Sequence, residues 1–295
     1  MSFKNLLNIS DLTRKDMDQI FDYASKLGET SSDDLKNKNI GLIFEKYSTR
    51  TRLSFQVGIS QLNGNPIDIK FEELNLQRTE SFEDTFKIFG CYLDAIIFRT
   101  TSHIRLIEAS NAFQKPIINA LSDLSHPCQI ISDLFTLKNH FSTLNNITIS
   151  WLGDVNNVLY SFIEAAKIFP EISLNIFTDK KIHQENILKF PQSDNVNIYY
   201  DVISEEIKNS DCIMTDVFTS MNDKSHEKEI MLKKYQVNRE LMSLTKDSCI
   251  FMHCLPANIG SEVTDEVLNS SKSIVMKQAK NRLISQKGIL KWLNI

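Results

Sequence analysis

Ile40-Gly41-Leu42-Ile43-Phe44-Glu45-Lys46-Tyr47-Ser48-Thr49-Arg50-Thr51-Arg52-Leu53-Ser54-Phe55 is the stretch whose reading decides the fold class. Its first five residues form a continuous apolar run, the pattern of a strand buried on both faces. Residues 53–62 read as a helix. Between the two, Ser48 to Arg52 are consecutive side chains that can all donate hydrogen bonds, and two of them are permanently charged. Strand, donor-rich turn and helix start together suit an oxyanion. Helix N-terminal N–H groups point at such a ligand, and arginine forks add bidentate charge-assisted bonds. A phosphate fits better than a neutral ligand. Serine and threonine are also ordinary N-caps and arginine an ordinary surface residue, but that explains one hydroxyl and one arginine, not an unbroken run of donors.

The same alternation continues outward along the chain. Further strand candidates are 66–69, 95–98, 116–119, 147–151, 174–177, 196–199, 212–215, 250–253 and 274–276. Most are continuous apolar runs, which implies parallel sheets covered by helices. Helices are expected after Ser10 as N-cap, with Leu12, Met17, Ile20, Phe21, Ala24 and Leu27 at helical spacing. Others are expected over 81–92, 130–140 (opened by Pro127), 157–169, 263–268 and 281–293. Strand–helix alternation over the whole length predicts an α/β class with parallel sheets. A polar patch at 139–146 is the expected domain boundary, with the last helix folding back onto the first domain.

Composition narrows the function classes. A chain of 295 residues suggests two domains of ordinary size. Hydrophobic residues at 42% and charged residues at 24% provide a sizeable core in each half. The formal net charge of −4 argues against a nucleic-acid surface, so any anion site must be built locally from placed arginines. The cysteines (Cys91, Cys128, Cys212, Cys249 and Cys254) are odd in number and lack a C-x-x-C pair. Free thiols in a reducing compartment are expected, rather than disulfides or a zinc site. Without a signal-like N-terminus or an apolar run near the ~20 residues of a membrane span, a cytoplasmic location is the expectation.

In open α/β sheets, ligands bind beyond the carboxyl ends of the strands. The polar residues of interest cluster there: Arg99, His103, His126 with Gln129, Gly153 to Asn157, Asp216 with Ser220 and Met221, His253 to Pro256, and Arg282 at the start of the last helix. Each has a structural alternative. His126 suits a local hydrogen bond, Asn157 an N-cap, Asp216 a helix cap and Cys254 an inert buried thiol. His140, His183 and His226 read as surface residues. No H-E-x-x-H, Walker loop, G-x-S-x-G or G-x-G-x-x-G occurs, which weighs against a metalloprotease, P-loop NTPase, serine hydrolase or NAD enzyme.

The quoted motif, as Phe44 to Arg52, resembles the carbamoyl-phosphate motif of the aspartate/ornithine carbamoyltransferases, and His126-Pro127-Cys128-Gln129 resembles the second motif of that family. Asp216-Val217-Phe218-Thr219-Ser220-Met221 and His253-Cys254-Leu255-Pro256-Ala257 are similar to the D-x-x-x-S-M and H-C-L-P signatures of its ornithine branch. Gly153-Asp154 with Asn156-Asn157-Val158, and Gln278-Ala279 through Leu283, match as well. The resemblance implies two doubly wound α/β domains with central parallel sheets, joined by long helices. Residues 1–140 would bind carbamoyl phosphate, with a C-terminal helix at about 277–295 packing back onto them. Residues 147–276 would bind ornithine. It further implies a homotrimer with active sites between subunits and a reaction of carbamoyl phosphate with L-ornithine, without metal or organic cofactor.

Carried over by motif, Ser48, Thr49, Arg50 and Thr51 would hold the phosphate. Arg99, His126 and Thr51 would face the carbonyl oxygen. Gln129 and the backbone carbonyls of Cys254 and Leu255 would bind the carbamoyl NH₂, and Arg282 would close over the same ligand. Asn157, Asp216, Ser220 and the Met221 backbone would hold the amino-acid end of ornithine, with Cys254 and Asp216 orienting its side-chain amine. Arg52 has a structural ion pair as its expected role. Departures from the family pattern lie at Asn75, where relatives typically carry the glutamine that reaches a neighbouring subunit, at Gln77-Arg78-Thr79, at Ile259, and in the loop from Ser220 to His226. A carbamoyltransferase for putrescine or an N-acylated ornithine is the alternative enzyme, and a non-catalytic homologue is the alternative of another class.

Overall fold

The computed structural model describes residues 3–74, 76, 80–186, 193–201, 205–219 and 226–295. The chain divides into two units, Met1–Phe135 with Lys280–Ile295, and Thr136–Ala279. The first unit runs α1 (Arg14–Leu27), β1 (Asn39–Phe44), α2 (Thr49–Gln61), β2 (Asn65–Lys70), α3 (Phe82–Tyr92), β3 (Ala95–Arg99), α4 (His103–Phe113), β4 (Ile117–Leu121) and α5 (Pro127–Phe141). The second runs β5 (Thr148–Leu152), α6 (Asn157–Ile168), β6 (Ser173–Phe177), α7 (Lys180–Asn186), β7 (Val196–Tyr199), α8 (Glu205–Lys208), β8 (Cys212–Thr215), α9 (His226–Leu232), α10 (Arg239–Leu244), β9 (Ile250–His253) and α11 (Asp265–Leu268). A final helix, α12 (Val275–Leu293), returns to the first unit, and α5 crosses the boundary in the other direction.

Both sheets are wholly parallel, with strand orders β2-β1-β3-β4 and β7-β6-β5-β8-β9. Their central strands are buried along nearly their whole length, which is why they read as continuous apolar runs. The first core gathers Ile43, Phe86, Ile96, Phe98, Leu106 and Phe113. From Lys280 onward α12 belongs to this unit, with close backbone approach. A Cβ on Gly288 would lie 2.5 Å from the Ile20 carbonyl oxygen of α1.

The expected strand at 274–276 does not form. Ser273 makes one bridge to Phe251 and the Ile274 N–H donates to the Phe251 carbonyl, after which Val275 begins α12. The apolar triplet is thus one strand contact followed by a helix start. The N-cap of α1 is Thr13 rather than Ser10. Thr13 and Asp16 form a reciprocal capping box, while Ser10 lies in a 3-10 turn over Ile9–Asp11. Asn156 caps α6, accepting from the Val158 and Leu159 N–H groups, and Asn157 is the first helical residue. His183 is buried, not a surface residue, because its Nδ1 pairs with the Tyr200 hydroxyl at 2.9 Å. Among the described residues no helix is long and apolar enough to cross a membrane.

Candidate active site

In the first sheet the strand order reverses between β1 and β3. The carboxyl ends of these neighbours flank the crevice where doubly wound sheets take ligands. β1 leads through Glu45 into Ser48 and the start of α2, and β3 ends on Arg99. The β3–β4 register shifts between Phe98 and Arg99, from Phe98 opposite Asn119 to Arg99 opposite Leu121. Irregularities of this kind re-aim a side chain at the sheet rim.

Ser48 is the N-cap residue of α2 but makes no side-chain bond to the helix. Its Oγ instead accepts from Arg99 Nη1 at 3.3 Å. The first-turn N–H groups of α2, at the positive end of the helix dipole, are therefore not capped by Ser48. Arg282, from α12, donates through Nη2 to Thr51 Oγ1. The buried ring of His126 stands immediately before α5. Residues more than two hundred positions apart in sequence thus meet in one cluster.

The electrostatics of this cluster are those of a site built for an anion. Burial, then the charges of Arg282 and Arg50, push the Arg99 guanidinium down to about 10. Burial, then Arg282 and Arg99, hold the His126 imidazole well below its ordinary range. His126 is consequently neutral at neutral pH and is able to donate from one ring nitrogen without adding charge. Three guanidiniums repelling one another through a partly dry environment are offset best by a multiply charged oxyanion. Gln129, buried on the first turn of α5, donates to Asp133 Oδ1 at 2.9 Å.

Glu45 is a positioning residue that the sequence reading gave no role. Its carboxylate accepts from the Thr101 N–H at 2.9 Å, from the Thr101 hydroxyl at 3.1 Å and from Arg105 Nη1 at 2.7 Å. The Glu45 N–H also donates to the Arg99 carbonyl at 2.9 Å, so the exits of β1 and β3 are clipped together. The available signal was a carboxylate standing three residues before the run of donors. Arg52, in contrast, turns to Asp68 of β2 at 3.1 Å, the structural ion pair expected of it.

In the second sheet the order reverses between β5 and β8, whose ends pair Leu152 with Thr215. Gly153 has φ +113°, and a Cβ there would lie 2.4 Å from Phe218 Cε1, so the two strand exits pack without a gap. Asn156, besides capping α6, donates through Nδ2 to Asp216 Oδ2 at 2.9 Å. Desolvation raises the Asp216 carboxyl above the usual carboxylate range and the Glu262 carboxylate adds to the rise, while the hydrogen bonds from the Val217 N–H and Asn156 act to lower it. Asn157 occupies the first turn of α6 beside this pair.

At the end of β9, His253 donates through Nε2 to Glu262 Oε1 at 3.1 Å, and both side chains are fully buried. Its Nδ1 accepts from the Leu255 N–H at 2.8 Å, which assigns the tautomer. Leu255 is held at φ +50°, a left-handed conformation unfavourable for a branched residue, and a cis bond to Pro256 follows. Cys254 is buried between them. His253 is thus the strut that sets the backbone of Cys254 and Leu255. Asn75, Ser220 and Met221, with 77–79, lie outside the described residues.

Comparison with known proteins gives the same family across nearly the whole chain. Residues 4–139 match the carbamoyl-P binding domain of aspartate/ornithine carbamoyltransferase, and residues 145–293 match its Asp/Orn binding domain. An ornithine carbamoyltransferase of Rhodopseudomonas palustris (strain BisA53) is 42% identical, covering 88% of this chain and 83% of its own. That of Bradyrhizobium diazoefficiens is 38% identical over 98% of this chain and 96% of its own. Among solved structures, ornithine carbamoyltransferase from Pyrococcus furiosus superposes with a TM-score of 0.87 at 32% identity, covering 98% of this chain and 96% of its own. The Burkholderia thailandensis enzyme gives 0.89 at 30% identity, covering 99% and 98%. With both of its parallel-sheet units matched in order, the chain is an enzyme of the aspartate/ornithine carbamoyltransferase family.

Proposed function

We propose that this enzyme transfers the carbamoyl group of carbamoyl phosphate to the side-chain amine of L-ornithine, giving L-citrulline and phosphate. The observation that carries the reading is the cluster of Arg50, Arg99, Arg282 and neutral His126 around the uncapped start of α2. The names of the relatives, ornithine carbamoyltransferases from several bacteria, supply the amine. Residues 1–140 with the helix at about 277–295 are read as the carbamoyl-phosphate domain, and 147–276 as the ornithine domain.

In this mechanism Ser48, Thr49, Arg50 and Thr51 hold the phosphate, with Asn75 added by resemblance of motif. Arg99, His126 and Thr51 donate toward the carbonyl oxygen, where charge grows as the tetrahedral intermediate forms. Preorganised donors at that position are usually the largest catalytic contribution. Arg282 lies over the same ligand, and Gln129 with the Cys254 and Leu255 carbonyls accepts from its NH₂. Asp216 and Asn157, joined by Ser220 and Met221 through their motif, take the α-ammonium and α-carboxylate groups. The attacking amine must be neutral, and with a pKa near ~10.4 fewer than about one molecule in a thousand is so at pH 7. Its nitrogen bonds to the carbonyl carbon, the carbon–oxygen bond to phosphate breaks, and the departing phosphate accepts the amine proton. Positioning and electrostatics, not a covalent intermediate, supply the rate.

A homotrimer, a cytoplasmic location and a role in arginine biosynthesis complete the reading. Product formation from carbamoyl phosphate with ornithine, putrescine, N-acetylornithine or aspartate tests it. Citrulline from ornithine, with the other amines far slower, is the expected outcome. Carbamoyl-phosphate binding without any ornithine-dependent product defeats it.

A further inference from the structure

The turn after β5 carries a second carboxylate that the mechanism does not use. Asp154 is buried, and its Oδ2 accepts from Lys228 Nζ of α9 at 2.8 Å. The two side chains are 7% and 22% exposed, so the pair is shielded from solvent, unlike the surface ion pairs that contribute little. Asp154 Oδ1 is buried as well, with no hydrogen-bond partner among the described residues. The Asp154 carbonyl accepts from Trp151 Nε1 at 2.9 Å, which pins the turn to the floor of the sheet. Two residues further on, Asn156 grips Asp216, and Asn157 follows.

We propose that Lys228 and Asp154 are positioning residues of the amino-acid site. Their ion pair fixes the turn that carries Asn156 and Asn157, and it leaves Asp216 as the carboxylate offered to a cationic amino acid. This rests on reading Asp216 as the ligand of the substrate α-ammonium group. Without Lys228, Asp154 becomes an unpaired buried carboxylate beside Asp216. Such a charge is relieved by protonation or by movement of the turn. α9 itself stays anchored without Lys228, since its Leu232 is fully buried and Glu229 accepts from the Ser261 hydroxyl at 3.0 Å.

Steady-state kinetics of the full-length enzyme test the proposal with three variants: Lys228→Met, Lys228→Arg, and Lys228→Met combined with Asp154→Asn. In Lys228→Met, the KM for ornithine should rise about tenfold or more, while the KM for carbamoyl phosphate and kcat stay within about threefold. Lys228→Arg should restore the ornithine KM. The double variant should recover part of the loss, because no buried charge is then left alone. The proposal is overturned by an unmoved ornithine KM in Lys228→Met, by both KM values rising together, by Lys228→Arg failing as badly as Lys228→Met, or by a double variant no better than the single one. Failure of the functional reading looks different: the wild-type enzyme itself makes no citrulline.

Discussion

Replacing Arg282 with methionine isolates the electrostatics of the anion cluster. Arg282 is buried, donates to Thr51 Oγ1, and is the stronger of the two charges acting on both Arg99 and His126. Losing a charge-assisted hydrogen bond costs roughly 1.5–3 kcal/mol, which is about a 10- to 150-fold weaker Kd for carbamoyl phosphate or inorganic phosphate. The His126 imidazole should titrate closer to its ordinary 6.5, because one of the two cations depressing it is gone. The sign for stability follows from proton counts. His126 is neutral when folded and protonated when unfolded over the interval between its depressed value and 6.5, so the unfolded chain binds more protons there. Stability therefore rises with pH through that interval and is lost as pH falls through it, and Arg282→Met should narrow the interval. Calorimetric titration with phosphate, NMR titration of the His126 ring and urea unfolding at several pH values read the three effects. A phosphate Kd within about twofold of wild type together with an unmoved His126 titration would refute the reasoning.

Gly153→Ala should cost about 2–4 kcal/mol in urea unfolding, because a Cβ would press into Phe218 at a backbone angle that disfavours side chains. A variant as stable as wild type sinks the close-packing account of the β5 and β8 exits. Glu45→Gln should lower kcat/KM for carbamoyl phosphate by about tenfold, since the Arg105 pair and the tie to Thr101 weaken together. Saturation kinetics check it, and an unchanged kcat/KM counts against a positioning role. Cys254→Ser should keep most activity, whereas a carbamoyl-cysteine adduct seen by mass spectrometry of the wild-type enzyme contradicts the noncovalent mechanism.

Sheet strands were the most legible part of the chain, for a physical reason. A parallel strand covered on both faces must be apolar throughout, and runs such as Ile96-Ile97-Phe98 and Ile213-Met214 leave few other readings. The same rule failed at 274–276, because Val275 and the exposed Met276 belong to a helix, and the contact with β9 is made by the backbone of Lys272, Ser273 and Ile274. The short helices α7 to α10 offer too few turns for a 3.6-residue period to declare itself. Ser10 and Thr13 are equally good caps by type, and the choice falls to Asp16 three residues after Thr13. His183 misled because its partner, Tyr200, comes from another segment. Arg52 needed an acidic partner, and Asp68 on the neighbouring strand provided one. The place of Ser48 to Thr51 at the start of α2 could be read from local chemistry alone. Arg282 could not, since its contact with Thr51 spans most of the chain and only resemblance of motif pointed to it. Glu45, Glu262 and Lys228 act through other residues, and no local pattern announces a residue of that kind.

Carbon-13-labelled carbamoyl phosphate mixed with the enzyme and L-ornithine, followed by carbon and phosphorus NMR, tests the central claim most directly. The account predicts that the labelled carbon appears in the ureido group of citrulline, with one phosphate released per citrulline and no turnover when ornithine is omitted. Phosphate release independent of ornithine, or label arriving in carbamoyl-putrescine in preference to citrulline, would contradict it.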